Sequence, residues 1–295
     1  MGSAARGSVF IRRRARYPAA MPVADDLAFA TALAREAGAL VRERYGRVER
    51  LTKRAGAEAV TEADRASQRL IVAALRARFP ADGIIGEEND HGDTITNLGP
   101  ASGERVWVID PIDGTNNFVS GLGNFAVCIG LLDRGLPVAG VVYDVTRDEM
   151  FAGAMGLGAT RNGSPISAPT TAMSDRSLLM MTSNLLDERG QLPRFLARWL
   201  RDSSWKLRIL GSSALEAVMV AAGVAHGAVT INGKLWDIAA PAAVLLAAGG
   251  RLTDFAGRDV FPYALGGYAG GKVPFLAAGP AAHAELLGEI QAHGW

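Results

Sequence analysis

Cysteine is almost absent from this sequence. Cys128 is the single cysteine in 295 residues, which excludes an intrachain disulfide and a zinc site built from several cysteines. So little cysteine fits a reducing compartment, and we expect a cytoplasmic location. Cys128 itself is small and apolar, and we expect it to be buried in the core rather than to act as a nucleophile.

Long apolar runs and a surplus of one charge are also missing. The most apolar stretch, residues 238–248, is interrupted by Pro241 and is far shorter than the ~20 residues that cross a bilayer, so we expect no membrane partner. The 31 basic and 30 acidic residues nearly cancel, which leaves no large positive surplus for nucleic acid. The hydrophobic content of 49% is enough for a large core, in one large domain or two closely packed halves.

The first 24 residues differ from the rest of the chain. They contain no acidic residue but five arginines, at positions 6, 12, 13, 14 and 16. We expect a disordered N-terminal extension over residues 1–24. Two alternatives are an organelle-targeting segment and a start upstream of the working one, which would then be Met21.

The remaining chain is predicted to divide at a polar, proline-containing segment near residue 168. Residues 25–168 form an N-terminal α+β half, with helices over 25–45 and 61–79 followed by a mostly antiparallel sheet. Two segments of this half, 46–59 and 89–104, are expected to be irregular. In the C-terminal half, residues 169–295, strands and helices alternate as far as residue 253, which favours a second sheet covered by helices.

The stretch from Asp110 to Phe118 is the most informative in the sequence. It follows an apolar run, residues 106–109, which predicts a buried strand, and open α/β sheets place ligand chemistry at such strand ends. A turn containing Pro111 would direct the carboxylates of Asp110 and Asp113 toward one point. The carbonyl of Ile112 offers a third oxygen, and oxygen ligands suit a hard divalent cation such as Mg²⁺.

The next residues of this stretch favour an anion. Gly114 lets a phosphate approach the backbone closely, and Thr115 begins a predicted short helix whose free N–H groups attract negative charge. An isolated pair of aspartates in a turn is nevertheless common on protein surfaces, so the stretch alone leaves both interpretations open.

Two further acidic positions lie at predicted element ends. Glu87 follows a short strand and Gly86, and Asp237 opens a helix in an otherwise apolar context. Each position has an ordinary explanation. Glu87 stands next to Glu88, and adjacent acids are usually solvated; Asp237 could simply cap its helix, as aspartate often does. Together with Asp110 and Asp113, however, they would make a site for two or three Mg²⁺ ions.

In order and spacing, these motifs resemble the inositol monophosphatase family. The resemblance spans about residues 25–290 and rests on five blocks, at residues 60–64, 86–88, 110–115, 211–214 and 236–237. The family belongs to the lithium-sensitive, Mg²⁺-dependent phosphatases, which include fructose-1,6-bisphosphatase. The resemblance implies a mixed α/β chain (α+β or α/β) folded as a layered α-β-α-β-α sandwich of the inositol monophosphatase and fructose-1,6-bisphosphatase type.

The resemblance also implies roles for individual residues. The metal ligands would be Glu87, Asp110, the Ile112 carbonyl, Asp113 and Asp237. Glu87 and the pair formed by Thr115 and Asp64 would position and deprotonate a water activated by the metals. The substrate would be bound by Asp113, Gly114, Thr115, Ser212, Ser213, Ala214 and Asp237. Lys53 lies where the family often has a basic residue near the metals.

The implied activity is that of a phosphoric monoester hydrolase, a Mg²⁺-dependent homodimer that acts on a small phosphorylated metabolite similar to inositol monophosphate. Phosphatases of histidinol phosphate, fructose 1,6-bisphosphate and 3′-phosphoadenosine 5′-phosphate remain alternatives, as does a non-catalytic binding homologue. Thr230 stands seven positions before Asp237, where inositol monophosphatases often have an acid, and this disfavours inositol phosphate itself. We expect Lys234 either to contact a second phosphate or to be solvated, and Glu216 either to contact a polyol or to be solvated.

Overall fold

A computed structural model describes residues 23–47, 50–52, 59–88, 96–98, 104–187, 189–202 and 204–294. Most of the Arg-rich N-terminal segment, and Lys53, lie outside these residues. Within the described residues, every helix is too short or too polar to cross a bilayer.

Two long helices begin the described chain. Helix α1 (Val23–Arg44) buries one face, which includes Ala34 and Val41, and helix α2 (Glu62–Arg78) packs beside it. Thr61 precedes α2 in a capping box, in which the side chains of Thr61 and Asp64 each accept a hydrogen bond from the other's backbone. Strands β1 (Arg50–Thr52) and β2 (Ala59–Thr61) pair just before α2, so the prediction of an irregular segment over 46–59 is wrong there.

The first large sheet has eight strands in the order β10-β9-β8-β7-β6-β5-β3-β4. Its strands are β3 (Gly83–Gly86), β4 (Thr96–Leu98), β5 (Arg105–Asp113), β6 (Ala126–Asp133), β7 (Leu136–Asp144), β8 (Glu149–Ala154), β9 (Gly158–Arg161) and β10 (Ser164–Ile166). All neighbours are antiparallel except β3 and β5, as the sequence predicts. The predicted loop over 89–104 is wrong at β4, because these residues complete an edge ladder with β3.

The second sheet has five strands in the order β12-β11-β13-β15-β14. The strands are β11 (Leu178–Met181), β12 (Lys206–Ile209), β13 (Gly227–Thr230), β14 (Arg251–Thr253) and β15 (Phe275–Ala278). The other helices among the described residues are α3 (Thr115–Ser120), α4 (Arg194–Asp202), α5 (Ser213–Ala221), α6 (Leu235–Ala247) and α7 (Pro280–His293). The contacts give five layers: α1 and α2, the first sheet, α5 and α6, the second sheet, then α4 and α7.

Helix α6 lies unusually close to the first sheet, which positions its first turn for the site described below. A side-chain Cβ at Gly130 of β6 would lie 2.8 Å from the Ala240 nitrogen, and one at Gly140 of β7 would lie 2.2 Å from the Ala240 oxygen. Only glycine permits this approach. The N-terminus of α6, which carries Asp237, is thereby held over the end of β5.

Candidate active site

A β-bulge at the end of β5 brings Asp110 and Asp113 to one face of the sheet. In a regular strand, residues three apart point to opposite faces. Here Asp110 pairs with Cys128 and Asp113 with Ala126, so three steps along β5 match two along β6. The extra residue restores the alternation and puts both carboxylates on the same side. The predicted turn is therefore part of the strand, which continues to Asp113.

Three buried or half-buried carboxylates converge at this point. Carboxylate oxygens of Asp110, Asp113 and Asp237 all lie within 4.8 Å of one another. Burial raises the pKa of Asp110 well above its usual range, and the negative charges of Glu87, Asp113 and Asp237 raise it further. So many like charges in a buried space are stable only when protons or a cation neutralise them, and an all-oxygen donor set fits a hard divalent cation.

Helix α2 fixes the end of β3, where Glu87 follows Gly86. The Glu87 N–H donates to the Ile109 carbonyl at 3.2 Å and continues the parallel pairing of β3 with β5. The Gln68 side chain holds the backbone of the next residue, Glu88, donating to its carbonyl and accepting from its N–H at 3.0 Å. Gln68 was not predicted from the sequence, although it lies one helical turn after Asp64, on the same buried face of α2.

Thr115 and Asp64 form the contact that the family resemblance implies. The Thr115 hydroxyl lies 3.2 Å from the Asp64 Oδ1 and 2.9 Å from the Ile112 carbonyl, so its single proton can go to either acceptor. Asp64 also accepts from the N–H and the hydroxyl of Thr61, at 2.8 and 2.5 Å. Burial raises the pKa of Asp64 to about 6, although the Thr61 hydrogen bonds act to lower it.

The predicted substrate-binding residues fall into two groups. Gly114, Thr115 and Ser213 line the cleft beside the carboxylates, and Gly114 has a positive φ of 90° as it turns the chain from β5 into α3. Ser212 and Ala214 are buried, and the Ser212 hydroxyl and the Ala214 N–H both donate to Asp113, the latter at 2.9 Å. Direct substrate contact by these two residues stays a prediction.

The cleft continues away from the carboxylates along uncharged polar groups. They belong to Thr182, Ser183, Asn184, Thr230 and Asn232. Of these residues, only Thr230 could be singled out from the sequence. The Lys234 ammonium points elsewhere and donates to the Gly270 carbonyl at 2.6 Å. Glu216 is 1% exposed and accepts two backbone hydrogen bonds, so the expectation that it meets a polyol or solvent is wrong.

Comparisons with known proteins identify similar sequences. The sequence model of the inositol monophosphatase family matches residues 23–294. A relative named fructose-1,6-bisphosphatase/inositol-1-monophosphatase, from Thermotoga maritima, is 37% identical over 80% of this chain and 87% of its own length. A histidinol-phosphatase of Chlorobaculum parvum is 35% identical over 79% of this chain and 87% of its own.

A solved structure shows the same fold. The inositol monophosphatase of Thermotoga maritima superimposes with a TM-score of 0.77 at 33% identity, over 91% of this chain and 97% of that one. The predicted layered fold is thus confirmed, and so is the predicted enzyme class, since these relatives are phosphoric monoester hydrolases. The chain belongs to the inositol monophosphatase family.

Proposed function

We propose that this protein is a Mg²⁺-dependent phosphomonoesterase that releases phosphate from a small, hydroxyl-rich metabolite. The observation that carries the proposal is the convergence of the Asp110, Asp113 and Asp237 carboxylates within 4.8 Å, in a cleft that also contains Gly114 and Thr115. Phosphate monoester hydrolysis is among the slowest uncatalysed reactions, so an enzyme needs such a concentration of charge-binding groups.

The proposed metal site consists of five residues. Two or three Mg²⁺ ions would be held by Glu87, Asp110, the Ile112 carbonyl, Asp113 and Asp237. When bound, the ions would lower the pKa of water and neutralise charge on the attacking and leaving oxygens. The chain keeps every one of these carboxylates, together with Thr115, which counts against a non-catalytic homologue.

The residues of the chain itself are proposed to orient the reaction and move its proton. Thr115 Oγ1 would accept a proton from the attacking water while passing its own to Asp64 Oδ1, which lies 3.2 Å away. Glu87, which lines the same cleft, would help to position that water. The backbone at Gly114 and Thr115, where α3 begins, would bind the phosphoryl oxygens and orient phosphorus for attack.

The lining of the cleft favours an uncharged leaving group that carries a single phosphate. A second phosphate calls for a cationic partner, and the described lining residues include no lysine or arginine, while Lys234 is bonded to Gly270. An ammonium group calls for a carboxylate, and those on the described lining belong to the proposed metal site. Threonine, serine and asparagine side chains suit hydroxyl groups instead.

A phosphate-release screen tests the proposal. It compares inositol 1-phosphate, histidinol phosphate, fructose 1,6-bisphosphate and 3′-phosphoadenosine 5′-phosphate, each with Mg²⁺ and with a chelator. We expect Mg²⁺-dependent turnover, fastest with inositol 1-phosphate, because Thr230 lines the cleft and its hydroxyl can bond a polyol hydroxyl although an acid is missing at that position. A preference for histidinol phosphate or a bisphosphate would refute the assignment of the leaving group, and equal release with chelator would refute the role of the metal.

From the family resemblance we also propose a cytoplasmic homodimer that lithium inhibits. Light scattering measures the mass of the assembly, and a lithium titration in the millimolar range measures inhibition. A monomer, or a flat titration, would remove the corresponding part of this proposal.

A further inference from the structure

Glu216 is a buried carboxyl group that the proposed reaction does not use. It lies in the first turn of α5 and is 1% exposed. Its Oε2 atom is buried without a hydrogen-bond partner among the described residues. Burying a carboxyl group in this way is unfavourable, so its presence calls for a compensating role.

The other carboxyl oxygen of Glu216 anchors a turn. Its Oε1 accepts from the N–H groups of Leu210 and Gly211, at 3.0 and 3.1 Å. On the opposite side of the same turn, the Leu210 carbonyl accepts from the amides of Asn117 and Asn124, at 2.7 and 3.0 Å. The turn is therefore tied on one side to α5 and on the other to α3 and the segment before β6.

This turn leads directly to the groups that bond Asp113. Immediately after Gly211 come the Ser212 hydroxyl and the Ala214 N–H, both donating to Asp113 Oδ2. The turn packs tightly against the end of β5, because a Cβ at Gly114 would lie only 3.2 Å from the Gly211 oxygen. A displacement of the turn would therefore be passed on to the Asp113 carboxylate and to the cleft wall that Gly211 forms.

We infer that Glu216 is a positioning residue, which fixes the 210–211 turn so that Asp113 keeps its cation-binding geometry. The inference rests on the proposed function, since it assigns Glu216 an effect on a metal site. It requires an acceptor at Oε1 and does not require a negative charge.

Two variants of similar size separate the acceptor from the charge. Glu216→Gln keeps an oxygen that can accept both N–H groups, whereas Glu216→Met fills the space and offers only a thioether sulfur, which is a weak acceptor. We expect Glu216→Met to weaken Mg²⁺ binding by about tenfold in calorimetry, the lower end of what loss of a group supporting a metal ligand causes. The Mg²⁺ concentration for half-maximal release of phosphate from inositol 1-phosphate should rise in parallel, and Glu216→Gln should stay near the wild type in both.

A matched control separates positioning from stability. Val218→Ala removes buried apolar volume from the same helix, so it should lower the melting temperature and leave Mg²⁺ affinity unchanged. Asn117→Ala provides a second route, because it removes the shorter of the two amide hydrogen bonds that hold the Leu210 carbonyl on the other side of the turn. It should weaken Mg²⁺ binding in the same direction, which keeps the inference testable if Glu216→Met does not fold.

The outcomes distinguish this inference from the proposed function. Wild-type Mg²⁺ affinity in a folded Glu216→Met variant would overturn the role of Glu216 alone, as would a Glu216→Gln variant as impaired as Glu216→Met. If Glu216→Met does not fold, unchanged affinity in Asn117→Ala would overturn it. Failure of the wild-type protein to release phosphate with Mg²⁺ would instead overturn the proposed function.

Discussion

Replacing Asp110 by asparagine should have opposite effects on the metal-free and the Mg²⁺-bound protein. The asparagine keeps the side-chain oxygen that accepts the Ile112 N–H at 3.0 Å, so the local backbone should persist. The change removes one charge from a buried group of carboxylates that lie within 4.8 Å of one another. In the metal-free protein the substitution therefore relieves repulsion among the carboxylates. In the Mg²⁺-bound protein it removes a carboxylate ligand of the cation.

The two effects are of similar size. At 4.8 Å and an effective dielectric constant of about 20, each fully ionised pair repels by about 3.5 kcal/mol. Burial raises the pKa of Asp110 well above its usual range, which reduces the repulsion that the substitution can relieve, so we expect a gain below that of one full pair, about 1–3 kcal/mol. Mg²⁺ at a hundredfold excess over its dissociation constant stabilises the wild type by about 2.7 kcal/mol, which the variant should largely lose.

Thermal melting in chelator and in saturating Mg²⁺ measures both effects on stability, and a phosphate-release assay measures turnover. Asp110→Asn should melt higher than the wild type in chelator and lower in Mg²⁺, with turnover reduced by about 10³-fold or more. Asp82→Asn is the matched control, because Asp82 pairs with Arg105 and Trp107 away from the cleft. It should lower both melting temperatures and keep the full Mg²⁺ gain.

Either of two results would refute this reasoning. A Mg²⁺-induced rise in melting temperature that survives in Asp110→Asn would show that Asp110 does not hold the cation. Turnover equal to the wild type in a folded variant would show that the carboxylate cluster is not the catalytic centre.

Three further predictions follow from other contacts. Burial lowers the pKa of His283 to about 4, so between pH 7 and 5 the unfolded chain takes up a proton that the folded chain does not. The free energy of unfolding should then fall on the order of 2 kcal/mol more in the wild type than in His283→Gln, measured by urea titration; equal slopes would contradict this. Thr115→Val should lower kcat about a hundredfold or more while Thr115→Ser retains most of it, since only the hydroxyl reaches Asp64; equal kcat values would exclude the relay. Gln68→Ala should raise the Mg²⁺ requirement about tenfold, because the backbone N–H and carbonyl of Glu88, the residue after Glu87, both lose their hydrogen bonds to that side chain; an unchanged requirement in a folded variant would show these bonds to be dispensable.

Much of the site can be predicted from the sequence because its residues stand in short, ordered motifs. The stretch around Asp110 and the positions of Glu87 and Asp237 are enough to indicate a cation site, and the fold brings Asp110, Asp113 and Asp237 together. Helix α7 is absent from the predicted elements, although the apolar spacing of Ala282, Leu286 and Ile290 indicates it. Strand β4 has no such signal, since it is defined by pairing with β3.

The groups that hold the site in place are harder to predict. In the sequence Glu216 resembles any acid on a helix, because its role depends on the 210–211 turn that packs against it. The partner of Gln68 is the backbone of Glu88, 20 residues away in the chain. The side of the sheet that Asp113 faces depends on a bulge, whose single extra residue is visible only once β5 is paired with β6.

The sequence by itself determined the kind of chemistry, because carboxylates, a glycine and a threonine at set spacings limit what can be bound. It also determined the mixed α and β character of the chain through the apolar periods of its segments. Only the tertiary structure decided how the carboxylates meet, since their convergence depends on a bulge in β5 and on the close approach of α6 at Gly130 and Gly140. These are contacts between residues distant in the chain, and no local pattern encodes them.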